Sequence, residues 1–179
     1  MTGAERISSR VAYRGRTVST RVDEFRYDDG DVSEREVVAH PGAVAIVAHD
    51  AELLYLVRHL REAVGEDDLL ELPAGKLDVD GETPLDCARR ELEEEASVRA
   101  GRWSELKRFY TSPGFTDEEV WIFLATELED LGGEPDPGER LELVRWPLAE
   151  LDAAIDACRD AKSLIGLLLL RRMLGEKGR

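Results

Sequence analysis

Residues 71–98 read Glu71-Leu72-Pro73-Ala74-Gly75-Lys76-Leu77-Asp78-Val79-Asp80-Gly81-Glu82-Thr83-Pro84-Leu85-Asp86-Cys87-Ala88-Arg89-Arg90-Glu91-Leu92-Glu93-Glu94-Glu95-Ala96-Ser97-Val98. The second half of this stretch carries the local signals of a helix. Thr83 is a suitable N-cap, Pro84 fits the first helical position, and Asp86 at the third approximates a capping box. At 100° per residue, Leu85, Ala88, Leu92 and Ala96 fall within roughly 80° of one another and predict a narrow buried stripe. Glu91 and Glu95 stand one turn apart on the shoulder of that stripe, Glu94 lies further round, and Arg90 is expected on the opposite, solvated side. Like charges at i and i+4 destabilise a helix by about 0.2–0.5 kcal/mol, more where they are desolvated. Carboxylate oxygens gathered on one helical face are suited to hold Mg²⁺; a solvated acidic helix face is the other reading.

Outward from the helix, the flanking sequence reads mainly as strands. Ala43–Ala48 is a continuous apolar run of the kind buried on both faces of a sheet. Residues 53–60, 69–72, 118–128 and 141–146 are further strand candidates, the last stopped by Pro147. Residues 149–159 and 163–174 read as helices, and the near-continuous leucines of the latter predict burial on most sides. Near the start, residues 17–27, the turn Asp28-Asp29-Gly30-Asp31 and residues 35–39 predict a hairpin. The expected fold class is α+β, layered around a mixed sheet, with a small N-terminal antiparallel sheet. Residues 1–40 are expected to form that N-terminal region and residues 41–179 the main domain.

Composition narrows the function. The 179 residues suit one domain with a core and a small appendage. A formal net charge of −15 argues against nucleic acid as a partner. No apolar run approaches the ~20 residues of a membrane span, and no secretory signal is visible, so no membrane association and a cytoplasmic location are expected. Cys87 and Cys158 lack metal-ligand spacing. A surface this acidic repels an anionic substrate unless a divalent cation and local Arg or Lys reverse the field at the site.

The 71–98 segment resembles the Nudix box, G-x5-E-x7-R-E-U-x-E-E-x-G-U with U a bulky aliphatic. Gly75, Glu82, Arg90, Glu91, Leu92, Glu94, Glu95 and Val98 fill its places. Two departures stand out: six residues rather than five separate Gly75 from Glu82, and Ser97 replaces the closing Gly, where a left-handed C-cap is usual. The resemblance implies a Nudix-type α/β/α sandwich. It also implies that Glu91, Glu94, Glu95 and the Ala74 carbonyl hold Mg²⁺, with Mn²⁺ as a substitute, at a pyrophosphate-cleaving centre.

The likeness extends to the ADP-ribose pyrophosphatase branch of the family. Glu71-Leu72-Pro73-Ala74-Gly75 matches its lead-in, and Pro113, in Thr111-Ser112-Pro113-Gly114-Phe115-Thr116, stands sixteen residues after Ser97 as the branch's proline does. Taken alone, Pro113-Gly114 also reads as a plain turn. Arg58 and Arg61, in Val57-Arg58-His59-Leu60-Arg61, resemble the branch's Arg-rich strand end and suit a diphosphate or adenine, with surface ion pairing as the alternative. With Pro113, Gly114 and Phe115 they form the expected substrate-binding set. Glu139, in the Gly- and Pro-rich stretch 132–142, matches the branch's loop base, and Glu142 competes for the role. The branch further implies a homodimer built through the N-terminal sheet, and a nucleoside-diphosphate sugar as substrate, ADP-ribose foremost. Another ADP-sugar, a dinucleotide, or a sensor that binds nucleotide sugars without hydrolysing them are the competing readings.

Overall fold

The apolar run Ala43–His49 (β4) is a strand with two dry faces. Ala43, Ala45 and Val47 enter one hydrophobic cluster, while Val44, Ile46 and Ala48 enter a second. A strand needs both faces apolar only when a layer covers each side. The computed structural model, which describes residues 3–16, 18–132 and 141–177, supplies those layers.

Along the chain the elements are β1 (Ala4–Arg14), β2 (Ser19–Tyr27), β3 (Val32–Ala39), β4, β5 (Leu53–Arg61), β6 (Glu66–Glu71), β7 (Ala74–Lys76) and α1 (Pro84–Ala96). There follow β8 (Val98–Tyr110), β9 (Glu119–Asp130), β10 (Leu141–Pro147), the 3₁₀ turn Leu148–Glu150, α2 (Leu151–Ala157) and α3 (Ala161–Lys177). They divide into two compact units, Met1–Gly42 with Tyr110–Glu119, and Ala43–Phe109 with Val120–Arg179.

The second unit is built on a sheet ordered β10-β5-β4-β9-β8, with β6 paired to β5 and β7 to β4. β4 and β9 run parallel, from Ala43 opposite Val120 to Ala48 opposite Ala125, whereas β5 pairs antiparallel with β10, β4 and β6. On one face Leu54, Leu56 and Ile122 pack with Ala154 of α2 and with Leu167 and Leu170 of α3. On the other, Phe123 and Ala125 pack with Cys87, Ala88, Leu92 and Ala96 of α1. Each fully buried Leu or Ile contributes about 1.5–3 kcal/mol. The result is the expected α+β fold, an α/β/α sandwich around a mixed sheet. Gly166 lets α3 lie close, since a Cβ there would collide with Leu72 and Val47. The leucines of α3 are less buried than their density suggests: Leu167 and Leu170 face the core, but Leu168 is 44% exposed.

The first unit contains an antiparallel sheet ordered β1-β2-β3. The expected hairpin is its second half, turning at Gly30 with φ +90°. β1 is an addition that the sequence did not announce, because ten of its eleven residues are exposed and no apolar alternation marks them. The segment between β8 and β9 belongs to this unit. Val38 N donates to the Phe115 carbonyl at 2.7 Å, and the Thr116 hydroxyl donates to the Val38 carbonyl at 2.8 Å. Arg21 and Asp117 pair at 2.7 Å, and the second Asp117 oxygen accepts from His40 N at 2.9 Å.

Candidate active site

α1 begins and ends as its sequence dictates. Thr83 accepts from Asp86 N at 3.2 Å, and Ser97 caps the C-terminus in the left-handed conformation, φ 52° and ψ 35°, its N–H donating to the Glu93 carbonyl at 3.1 Å. A non-glycine residue there carries a conformational cost of about 1 kcal/mol. The Ser97 carbonyl accepts from Leu131 N at 2.9 Å, which ties the cap to the end of β9.

Glu91 and Glu95 do not stay on the shoulder of the buried stripe; they lie within it, 7% and 3% exposed. Donors from the neighbouring backbone and side chains make this tolerable. Ala74 N donates to Glu95 Oε2 at 2.9 Å, and Arg90 Nη1 donates to Glu91 Oε1 at 2.7 Å. The Glu91 carboxylate also occupies the space that a Cβ on Gly75 would fill. That position therefore needs glycine for close approach, which explains one fixed point of the motif.

Arg90 is not on a solvated face. Its guanidinium forms a fork with Glu82, at 2.9 and 3.0 Å, and its Nη1 also reaches Glu94 at 2.9 Å. A helical wheel places the Cα, but an arginine side chain is long enough to curl back along the helix. Glu82, whose role the extra loop residue had put in doubt, is fixed by this fork, and Arg90 beside it holds its carboxyl below the usual range. The Cys87 thiol is inert here, pushed up to about 12 by burial and by the nearby Glu91 charge.

Four carboxyl groups, Glu82, Glu91, Glu94 and Glu95, gather at this helix; the Arg90 guanidinium bonds the first three, and the Arg61 guanidinium lies within electrostatic reach of Glu95. Among the described residues no three acidic, histidine or cysteine side chains converge on one point, and Arg90 Nη1 stands between Glu91 and Glu94, bonded to both. The donor set is all hard oxygen, two of its members are buried, and the glycine backbone leaves Glu91 room. These residues fit a hard divalent cation.

The other expected residues are dispersed. Arg61 is engaged with Glu71 through two hydrogen bonds, 2.6 and 2.8 Å, and Arg58 pairs with Asp68 at 2.8 Å. Pro113, Gly114 and Phe115 lie in the first unit, on a surface cavity of about 460 Å³ that Phe25, Tyr27 and Arg35 also line. Glu139 falls outside the described residues, and Glu142 stands in regular β10 register opposite Arg58. Two polar clusters went unread in the sequence. One is Glu71 with Lys162, 91 residues apart, and the other is Asp23 with Ser9, 14 residues apart, and with its strand neighbour Arg21; the long-range members are too far apart along the chain for any spacing rule to join them.

A sheet with one parallel central pair, covered on one side by a helix whose buried face carries paired glutamates, defines a class of hydrolase. The chain belongs to the NUDIX family, whose domain model matches residues 39–166. It is 42% identical over 149 residues to an ADP-ribose pyrophosphatase of Mycobacterium tuberculosis, covering 82% of this chain and 72% of that one. An ADP-ribose pyrophosphatase of Bacillus subtilis is 36% identical over 170 residues, with 92% and 91% covered. Among solved structures, an ADP compounds hydrolase superposes with a TM-score of 0.84 at 26% identity, covering 98% of this chain and 96% of that one.

Proposed function

We propose that this chain hydrolyses the diphosphate of ADP-ribose, releasing AMP and ribose 5-phosphate, with Mg²⁺ as its cofactor and Mn²⁺ as a substitute. The observation that carries the reading is the buried Glu91 and Glu95 pair, one helical turn apart and set against the Ala74-Gly75 backbone. A purely structural helix face has no use for two desolvated like charges. Glu91, Glu94, Glu95 and the Ala74 carbonyl would hold the cation. When bound, it would supply positive charge to the diphosphate and acidity to an attacking water. Arg90 keeps the carboxylates oriented and, with its fork to Glu82, can yield Glu91 and Glu94 to the cation without losing its own pairing. Glu139 would take the proton of the water, with Glu142 as the competing base.

In this reading Pro113, Gly114 and Phe115 bind substrate at the cavity beside Phe25 and Tyr27. Those flat apolar faces, with the planar Arg35 hydrogen-bonded to the Tyr27 hydroxyl at 2.8 Å, suit a purine. Arg58 and Arg61 would meet the diphosphate. Residues 1–40 would form a dimerisation region, supported by Val11, Tyr13 and Val32, which are 54%, 64% and 48% exposed. A monomer in sedimentation at micromolar concentration would argue against that assembly. Among the described residues no helix is long and apolar enough to cross a membrane, and the cysteines are free, in keeping with action in the cytoplasm.

The deciding experiment is a product assay on a panel of nucleoside-diphosphate sugars, dinucleotides and nucleoside triphosphates in H₂¹⁸O. ADP-ribose is expected to turn over fastest, and the label identifies the attacked phosphorus. A preference for a triphosphate would overturn the substrate, and binding without any turnover would identify a sensor.

A further inference from the structure

The segment that presents its backbone to α1 is itself held from behind at its first three residues, and by α1 at the fourth. Glu71 is 1% exposed and receives both nitrogens of the Arg61 fork together with Lys162 Nζ at 2.6 Å. Leu72 N donates to the buried Ser163 hydroxyl at 2.8 Å. The Pro73 carbonyl accepts from Ile46 N at 2.8 Å, and Ala74 N donates to Glu95. Gly75 follows and receives the Glu91 carboxylate. Lys162 and Ser163 both belong to the first turn of α3, where Asp160 organises them: it accepts from Lys162 Nζ at 2.9 Å, from Ser163 N at 3.0 Å and from the Ser163 hydroxyl at 2.5 Å.

This network is more polar than packing requires. α3 already has an apolar face of Leu167 and Leu170. Burying a lysine–glutamate pair and a serine at its start adds desolvation that well-packed apolar residues would avoid. What the polar groups provide is direction: hydrogen bonds fix the height and tilt of the 71–75 backbone, which hydrophobic contact alone does not. The Arg61 guanidinium also lies within electrostatic reach of Glu95, so clamping it on Glu71 fixes a positive charge near one member of the carboxylate pair.

We infer that Glu71, Lys162 and Ser163 are positioning residues for the cation site, through which the start of α3 sets the Ala74-Gly75 backbone against Glu95 and Glu91. The inference rests on the metal-dependent reading of that carboxylate pair. The three residues touch neither substrate nor cation, and act through the 71–75 backbone. Their removal therefore weakens cation binding more than substrate binding.

The test is Mn²⁺ affinity of the full-length chain, measured by electron paramagnetic resonance without substrate, for the parent, Lys162→Met, Lys162→Arg, Ser163→Ala and Glu95→Gln. Outer partners of metal ligands are typically worth 10–100-fold in affinity. The Mn²⁺ Kd is expected to rise about 10-fold in Lys162→Met and several-fold in Ser163→Ala, with Lys162→Arg within about 3-fold of the parent. At saturating Mn²⁺, KM for ADP-ribose should stay within about twofold. Ser163→Ala, which removes one hydroxyl, serves if Lys162→Met does not fold. Unchanged Mn²⁺ affinity in a folded variant with lowered Tm would make the cluster a stability element only and overturn the inference. A parent chain that binds no Mn²⁺ would overturn this inference and the metal-dependent reading together, whereas loss of binding in Glu95→Gln alone would sink only the positioning role.

Discussion

β4 carries six consecutive buried residues, Ala43–Ala48, and its unit closes an apolar layer over each of the strand's faces. The N-terminal unit, among the described residues, buries one apolar side chain, Val22, and next to it an aspartate. Asp23 is 1% exposed and is held by the Ser9 hydroxyl at 2.6 Å and by Arg21 at 2.8 Å. Burial would raise its carboxyl, but those bonds outweigh it and keep the group ionised below the usual aspartate range. One unit thus draws stability from area removed from water, which salt barely affects, while the other depends on a few directed polar contacts. A three-stranded sheet with so little apolar core is marginal alone. The sandwich, in contrast, has enough core to tolerate buried glutamates, and that surplus is what an acidic site requires.

Substitutions can break this contrast or sharpen it. The largest effect is expected at the carboxylate pair. Glu95→Gln should lower turnover by about 10³-fold or more, with Tm unchanged or slightly raised, because under the proposed function it removes a cation ligand and a like-charge neighbour together. A folded Glu95→Gln chain with near-normal turnover would refute the site. Gly75→Ala should follow, at about 10²-fold in turnover, since the new methyl displaces the Glu91 carboxylate and misplacement of about 1 Å costs that much.

In the N-terminal unit, Asp23→Ala should destabilise by about 2–3 kcal/mol, leaving Arg21 without its buried partner. Hydrogen exchange should localise the loss to residues 4–39; loss spread evenly across the sandwich would contradict the division into two regimes. Acid provides the next test. Burial alone would raise Glu71, but the Arg61 bonds and the Lys162 charge prevail and lower it from 4.5 to about 2. A carboxyl depressed in the folded state stabilises it above the unfolded value and loses that contribution as pH falls. Tm should therefore decline between pH 4.5 and about 2 with a Glu71-dependent component on the order of 2 kcal/mol, absent in Glu71→Gln. Smallest is Ser97→Gly, expected to raise stability by roughly 0.5–1 kcal/mol by relieving the left-handed cap, measured as a shift in denaturation midpoint.

How far the sequence could be read depended on the range of the interaction. α1 was legible from cap to cap, because Thr83, Pro84, Asp86 and Ser97 act within one turn of where they stand. β4 was legible because two-sided burial leaves an unbroken apolar run. β8 was not: its partly buried residues, Ala100, Trp103, Leu106 and Phe109, recur every third position, which matches neither a strand nor a helix period. The motif located Glu91 and Glu95 but not their depth, which depends on Gly75 and Ala74 arriving from another strand. Glu71 and Lys162 are separated by 91 residues and meet only in the folded chain. Arg61 carried a substrate expectation; its observed fork to Glu71, ten residues on, depends on the pairing of β5 with β6, whose register shifts between His59 and Arg61.

The parallel pairing of β4 with β9 has a consequence for the order of assembly. Ala43 meets Val120 across a loop of 77 residues (120 − 43), and everything from β5 to β8, α1 included, lies inside it. Closing a flexible loop of that length costs roughly 4 kcal/mol in chain entropy before any contact offsets it. Phe123 and Ala125 of β9 form part of the surface on which α1 rests, so the helix lacks its full seat until the two strands have met. During synthesis the glutamate pair thus leaves the ribosome well before it can be set into place. If the paired carboxylates hold a cation as proposed, their affinity for it should appear only in one of the last steps of folding.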